Sequence, residues 1–346
     1  DKRLPKVSAK TLAKRWHIGL AAAQRTIEAT TQSAIRTVLH PTLSRRFRTN
    51  DRQLRYRRLS HNMFTDTMEA KTVSWFRQNK YAQVFVTSFG WTRVFPMKRK
   101  SDAHHGLSTL AQRDGVPPMI IMDGSKEQTM GDFKKKARQM GARIRQTEPY
   151  SPGQNAAEGG IREWKRGAGR KETRKCSPAK LWDHCIELEA YIRSHTALDQ
   201  HDLQGQVPET LVSGQTADIS PFVEHEWYDW VRYWDSTAGF PEAKEAYGRW
   251  LGPAPDIGPA MCAKILRENG QVTYTSTYRA LNDHELSDPE HIEQRKRFDK
   301  GIRKRLGAIM TKEELDSSDS QTPTYPLYSD DLEGTHLPIE DIDDVN

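Results

Sequence analysis

The chain has 346 residues, with 53 lysines and arginines against 46 acidic residues and a formal net charge of +7. No apolar run approaches the roughly 18 residues of a membrane-spanning helix, and three cysteines supply neither a disulfide framework nor a four-cysteine zinc site. These features exclude a membrane protein and a small disulfide-stapled protein, and they favour an intracellular chain of two or three domains with no membrane partner.

Charge is unevenly distributed along the chain. Residues 1–60 hold 15 lysines and arginines against three acids, whereas residues 311–346 hold one lysine and 11 acids. This separation indicates a cationic body that binds a polyanion such as nucleic acid, followed by an acidic, disordered tail. A solvated surface with a charged linker is the alternative.

Two short helices are predicted in residues 8–31, with Ser8 as the first N-cap and Gly19 in the turn. Helix, turn and helix is the outline of a helix-turn-helix DNA-binding unit, although an ordinary helical hairpin has the same outline. The next stretch, RRFRTNDRQLRYRR at 45–58, is rich in arginine, which pairs with phosphate in a bidentate way; a solvated connector is the alternative. Its candidate DNA contacts are Arg45, Arg46, Arg48, Arg55, Arg57 and Arg58.

Residues 61–200 alternate between strand-like and helix-like segments. The segments 81–89 and 91–97 predict a hairpin around Gly90, and the apolar run PMIIM at 118–122 predicts a buried strand. Strands are also predicted at 61–67 and 142–147, and helices at 102–113, 126–140, 155–170 and 177–196.

The C-terminal third is predicted to be rich in β-structure. Residues 263–278 predict a hairpin with its turn at Asn269-Gly270, a strong hairpin signal. Four tryptophans are placed to fill a small five-stranded barrel: Trp227, Trp230, Trp234 and Trp250. A charged helix is predicted over 288–306, with Asp288 as its N-cap.

Three acidic residues stand where strands and a helix can bring them together. Asp66 lies within a predicted strand, Asp123 ends the strand MIIMD, and Glu158 lies near the start of a helix. Three gathered carboxylates make a site for a hard divalent cation, Mg²⁺ or Mn²⁺, and their mutual repulsion raises at least one pKa when no cation is bound. For any one of them, a surface carboxylate is the alternative.

The motifs around these acids resemble the D,D,E signature of retroviral-type integrases. The matching segments are FTDT, MIIMDGSKEQ and PYSPGQNAAEGGIREWKR, and the interval from Asp123 to Glu158 is 35 positions. The third segment is especially similar to the PYxPxxNGxAE motif of integrases from Ty1/copia-type retrotransposon polyproteins. The motif-bearing resemblance covers roughly residues 60–200.

The resemblance implies an α/β fold. Its core would be a ribonuclease-H-like mixed sheet flanked by helices, with an N-terminal helical unit and a small C-terminal β-barrel-like domain. The expected divisions are 1–43 (helical unit), 44–60 (basic linker), 61–200 (catalytic core), 201–225 (connector), 226–283 (β domain), 284–310 (charged helix) and 311–346 (acidic tail).

The resemblance also implies a function. Asp66, Asp123 and Glu158 would hold Mg²⁺ or Mn²⁺ for trimming the ends of element cDNA and transferring them into double-stranded target DNA. The expected setting is a homo-oligomer that acts in the nucleus after assembly in cytoplasmic virus-like particles. The chain would be part of a polyprotein with reverse transcriptase, which fits its start at Asp1 rather than Met.

Further DNA contacts are expected beside Glu158. Gln154 and Asn155 precede the helix and are candidates by resemblance. Arg162, Lys165 and Arg166 follow Glu158 on one helical face and suit backbone phosphates, although a solvated Glu–Arg pair is the alternative.

Departures from the family pattern leave other functions open. The family's N-terminal zinc unit uses two His and two Cys, but no Cys precedes Cys176, so zinc is not expected. Gly159 and Gly160 follow Glu158 and are predicted to loosen its placement. A catalytically degenerate or host-adopted DNA-binding protein of the same fold, or a nuclease that only hydrolyses, are the alternatives.

Overall fold

The computed structural model describes residues 6–34, 56–123, 131–147, 156–235, 239, 241, 243–257 and 261–307. Several predictions concern residues outside these ranges, namely the contacts of Arg45, Arg46, Arg48, Arg55, Gln154 and Asn155 and the disordered tail at 311–346. No helix in the described ranges is both long and apolar enough to cross a membrane.

A five-stranded mixed sheet forms the centre of residues 61–147. Its strands are β1 (Met63–Glu69), β2 (Tyr81–Val86), β3 (Thr92–Met97), β4 (Met119–Met122) and β5 (Arg143–Gln146). Their order is β3-β2-β1-β4-β5, with β1, β2 and β3 antiparallel and β4 and β5 parallel to β1. The predicted hairpin is confirmed, and Gly90 takes the positive φ of 90° that its turn requires.

Helices cover both faces of this sheet. They are α3 (Ala103–Arg113), α4 (Asp132–Gln139), α5 (Ala156–Arg174) and α6 (Trp182–Ser194). On one face Phe85 and Ile120 pack with Leu107 of α3 and Phe133 of α4. On the other face, Val84 packs with the apolar sides of α5 and α6. The predicted α/β core, a mixed sheet flanked by helices, is confirmed.

A second sheet has the strands β6 (Trp230–Trp234), β7 (Glu245–Pro253), β8 (Ala263–Leu266), β9 (Val272–Thr275) and β10 (Tyr278–Ala280). This C-terminal sheet is antiparallel, with the order β10-β6-β7-β8-β9. The Asn269-Gly270 hairpin is present, with Gly270 at a φ of 81°. Between β9 and β10 the described residues contain no strand pairing that closes a barrel, so the barrel prediction is not confirmed. The prediction that Trp234 fills the core is wrong. Its side chain is 47% exposed, because Trp234 is the last residue of β6 and lies at the surface of the sheet.

The remaining helices pack between or around the sheets. They are α1 (Ala9–Trp16), α2 (Leu20–Ala29), α7 (Pro208–Ser213), α8 (Ser220–Val223), α9 (Asp283–Ser287) and α10 (Pro289–Leu306). The predicted N-caps are present: the Ser8 hydroxyl accepts the Thr11 N–H at 3.2 Å, and Asp288 accepts two N–H groups of α10.

The N-terminal helices are docked on the rest of the chain. Leu12 and Trp16 belong to one apolar cluster with Leu188 of α6, Trp250 of β7 and Phe298 of α10. The Trp16 indole also donates to the Phe222 carbonyl at 3.0 Å, 206 residues away in sequence. Helices α1 and α10, which are far apart in the sequence, therefore pack in one apolar core with α6.

Candidate functional site

Asp66 lies in the middle of β1, the central strand of the mixed sheet. Side chains alternate along a strand, so Asp66 shares its face with Phe64 and Met68. Phe64 and Met68 pack with Trp164 and other apolar side chains of α5. Asp66 is therefore directed to the face that α5 covers, and it is half-buried there.

Asp123 reaches the same place from the neighbouring strand. Parallel pairing places Thr65 opposite Met122, and one further step of this register sets Asp66 level with Asp123. Neighbouring strands lie about 4.8 Å apart. The end of β4 therefore brings Asp123 level with Asp66 on the neighbouring strand.

Glu158 is placed by the first turn of α5. Ala157 of that turn and Ile161 of the next are buried against the sheet, which places Glu158 at the edge of the contact. Glu158 itself is exposed to solvent. The helix thus presents this carboxylate to solvent above the strand that carries Asp66.

The charges of Asp123 and Glu158 act at Asp66. The pKa of Asp66 is raised, first by burial and then by the negative charges of Asp123 and Glu158. The Thr67 N–H, which donates to Asp66 at 2.7 Å, and the cation of Lys165 oppose this rise. The raised pKa expected for gathered carboxylates is therefore found at Asp66.

The donor chemistry of the three acids fits a hard divalent cation, since all of their ligand atoms are carboxylate oxygens. Within the described part of the chain, however, no group of three or more His, Cys, Asp or Glu side chains is arranged to hold a metal ion. The carboxylates thus share one electrostatic site without forming a complete coordination shell.

Lys165 is a predicted DNA contact whose charge acts at this site. Its charge interacts with Asp66 and Glu69, but its pKa is lowered because partial burial outweighs those attractions. Arg166 instead pairs with Glu163 at 3.2 Å along the same helix. Of the predicted basic row, Lys165 is therefore the member that the structure couples to the acids, while Arg162 is half-buried.

Two arginines of the predicted basic linker lie within the described residues. Arg57 donates to the carbonyls of Val212 and Ser213 at 3.1 and 2.7 Å, and Arg58 donates to that of Gly141 at 3.4 Å. Both arginines are exposed, and each holds the linker against the core. Their predicted contact with phosphate is untested.

The sequence missed how closely α5 is packed. A Cβ built on Gly160 would lie 2.7 Å from the Trp164 ring, and one on Gly167 would lie 2.1 Å from the Glu189 carboxylate. Glu189 in turn holds the buried Lys171 ammonium at 2.5 Å. Glycines at a spacing of seven on one helix were the only signal of this close approach.

Comparisons with known proteins give weak likeness only. No family model matches the chain, and no curated protein matches it. An intasome of simian T-cell lymphotropic virus, solved with PP2A regulatory subunit B56 gamma, is 14% identical, with a TM-score of 0.39 over 80% of this chain and 99% of that chain. The catalytic core domain of BIV integrase is 15% identical, with a TM-score of 0.35 over 44% of this chain and 93% of that one. Likeness at this level does not assign the chain to a family.

Proposed function

We propose that this chain is a DNA integrase that processes the ends of retroelement cDNA and transfers them into target DNA. The observation that carries the proposal is the parallel register that sets Asp66 and Asp123 level on adjacent strands, beside the helix that bears Glu158. The charges of Asp123 and Glu158, after burial, help to raise the pKa of Asp66. The sequence motifs around these acids, which resemble those of Ty1/copia-type integrases, support it. A ribonuclease-H-like core is part of the same proposal, supported by the mixed five-stranded sheet.

Each acid has a defined task in this proposal. Asp66 and Asp123, from adjacent strands, and Glu158, from α5, would hold Mg²⁺ or Mn²⁺. Such ions activate an attacking oxygen and stabilise a leaving oxygen in phosphodiester chemistry. Lys165, whose charge acts at Asp66, would hold a DNA phosphate next to the carboxylates. In this proposal the sheet would hold two of the acids and the first turn of α5 would hold the third.

Joining of a labelled DNA end to a plasmid tests this function. Glu158→Gln and Asp66→Asn should each abolish joining with Mg²⁺ or Mn²⁺, because each removes a carboxylate. Their binding of the same DNA in EDTA should remain within about twofold of the wild type. Glu163→Gln is the matched control, since Glu163 lies on the same helix but pairs with Arg166 and Arg193. A Glu158→Gln protein that joins DNA at the wild-type rate would refute the assignment.

A catalytically degenerate DNA-binding protein of the same fold is the second candidate. Two observations favour it: no complete metal-ligand group is present in the described residues, and Gly159 follows Glu158 with no packing neighbour to hold it. Mn²⁺ titration followed by electron paramagnetic resonance separates the two proposals. Tight binding that Asp66→Asn abolishes supports the integrase, and its absence in the wild type supports the degenerate protein.

The setting of this activity follows from the motif resemblance. We propose double-stranded DNA as the partner, both as element ends and as target, with the chain acting as a homo-oligomer in the nucleus. Processing from a polyprotein that includes reverse transcriptase, and cytoplasmic virus-like particles before integration, belong to the same proposal. Sedimentation of the protein with and without DNA ends tests the oligomer.

A further inference from the structure

A cationic groove lies outside the acidic site, between α4 and the edge strand β5. Its volume is about 640 Å³, and its lining includes Lys134, Arg138, Arg143, Ile144 and Gln146. No acidic side chain is among its lining residues in the described part of the chain. A groove with three cations and no carboxylate is suited to a polyanion rather than to a neutral or cationic ligand.

The local structure explains why the cations converge there. Phe133 and Ala137 bury one side of α4 against the sheet. Lys134 and Arg138 are four residues apart, so both lie on the side of α4 that lines the groove, whereas Lys135 lies on a different side. Arg143 is exposed on the edge strand β5 and also lines the groove.

A fourth cation adjoins the far end of the groove. The Arg58 guanidinium donates to the Gly141 carbonyl at 3.4 Å, and a Cβ on Gly141 would lie 2.4 Å from it. Gly141 has a φ of 74° and lines the groove itself. The tight turn after α4 therefore brings the Arg58 guanidinium to the end of the groove that Gly141 lines.

The near end of the groove leads to the acidic site. Gln146 of β5 pairs with Met122 of β4, and the Thr147 N–H donates to the Met122 carbonyl at 3.0 Å. Asp123 is the next residue after Met122. A ligand that runs along the four residues of β5 covers about 13 Å, a length over which one strand of B-DNA carries about four phosphates. The end of such a ligand would lie beside Asp123.

We propose that this groove binds the phosphodiester backbone of DNA and guides it along β5 towards Asp123. The groove contacts phosphates through Lys134, Arg138 and Arg143 and carries no base readout. This inference rests on the proposed function for the identity of the polyanion, but its binding step needs neither metal nor catalysis. The two can therefore fail separately.

Salt-dependent binding of a labelled duplex in EDTA tests the groove with the full chain. The triple variant Lys134→Gln, Arg138→Gln, Arg143→Gln is compared with a control that loses the same charge at exposed sites elsewhere, Lys71→Gln, Lys98→Gln, Lys135→Gln. Each lost phosphate contact should lower the slope of log K against log salt by about 0.9, so the triple variant should lose about 2.7. Its affinity at 0.1 M salt should fall at least tenfold, while the control keeps the wild-type slope.

Each outcome bears on the proposal. An unchanged slope in the triple variant, or an equal loss in the control, overturns it. If the triple variant fails to fold, the three single variants, each with a slope reduced by about 0.9, decide instead. The exchange variant Lys134→Arg, Arg138→Lys, Arg143→Lys should keep the slope. Tighter wild-type binding to phosphatidylserine vesicles than to DNA, lost in the triple variant, would identify a membrane ligand and refute DNA.

Failure of the proposed function is visible in the same series. A wild-type protein that joins no DNA ends, while the triple variant still loses DNA affinity, refutes the integrase and leaves the groove standing. Normal joining by the wild type with unchanged DNA affinity in the triple variant refutes the groove alone.

Discussion

Replacing Gly167 of α5 with alanine should destabilise the protein, although alanine is normally the better helix former. The nearest atom to a Cβ at this position is the Glu189 Oε1, at 2.1 Å, followed by its Cδ at 2.5 Å. Glu189 is only 5% exposed, so its carboxylate has no open space into which to move. The added methyl therefore forces Glu189 away from its partners.

The size of the effect follows from the ion pair that Glu189 makes. Its carboxylate accepts from Lys171 Nζ at 2.5 Å and from Arg193 Nε at 3.2 Å, and the Lys171 side chain is 2% exposed. Removing one partner of a buried pair costs about 3–5 kcal/mol, because the other charge is left buried. Exchange of glycine for alanine inside a helix returns about 1 kcal/mol. The free energy of unfolding should therefore fall by about 2–4 kcal/mol.

Gly159→Ala is the matched control on the same helix. A Cβ at Gly159 meets nothing within 4 Å, so only the helix propensity changes and the free energy of unfolding should rise by about 1 kcal/mol. Gly301→Ala in α10, which also has open space, should behave in the same way. Urea unfolding followed by tryptophan fluorescence measures all three variants.

The sign of the change in unfolding free energy caused by Gly167→Ala tests the close approach of α5 and α6. A Gly167→Ala protein as stable as Gly159→Ala would show that Glu189 is not packed against the helix backbone, and the ion-pair account would be wrong. Destabilisation of the Gly159 variant would show in turn that its surroundings are not open. The Gly159 variant should also join DNA ends at least as fast as the wild type, because a stiffer first turn holds Glu158 in place.

Other variants address pH and the contact between the two sheets. Burial raises the pKa of Glu172 well above its ordinary value, so the unfolded chain loses this proton at lower pH than the folded chain. The free energy of unfolding should therefore fall as pH rises above about 4.5. Glu172→Gln should remove that fall, as measured by urea unfolding between pH 4 and 8. Glu187→Gln should cost about 3 kcal/mol, since it leaves Lys264 of β8 without the carboxylate now 2.6 Å away. Trp75→Phe removes an indole bond of 2.8 Å to the Gly270 carbonyl and should cost about 1 kcal/mol, seen as faster amide exchange in the β8–β9 hairpin.

Local patterns were sufficient to predict the strands that carry the site. An apolar run ending at Asp123 and a strand containing Asp66 become neighbours in a parallel pair, and their register alone brings the two acids level. The hairpin around Gly90 and the turn at Asn269-Gly270 followed from residues that favour positive φ. Such features depend on a few adjacent residues, which is why sequence patterns reveal them.

Features that depend on distant segments were not predictable. The Trp16 indole donates to the Phe222 carbonyl, and the Trp16 carbonyl accepts from Lys171 at 3.3 Å. No local sequence pattern encodes either contact. Trp234 illustrates the converse: a large apolar residue was assigned to the core by type, yet its place on β6 leaves it exposed. Burial at these positions depends on which surfaces of the folded chain come into contact, and a single sequence does not reveal those contacts.

The packing around α5 explains why glycines follow Glu158 on this helix. Gly160 is required because the Trp164 ring, which is 2% exposed, occupies the space of a Cβ, and Gly167 is required by the carboxylate of Glu189. Close packing along α5 therefore fixes the helix on the sheet through Trp164 and on α6 through Lys171 and Glu189. A helix held at both of these points keeps its first turn, and hence Glu158, in register with Asp66. Gly159, which has no neighbour to fill its space, is the position at which that placement remains adjustable.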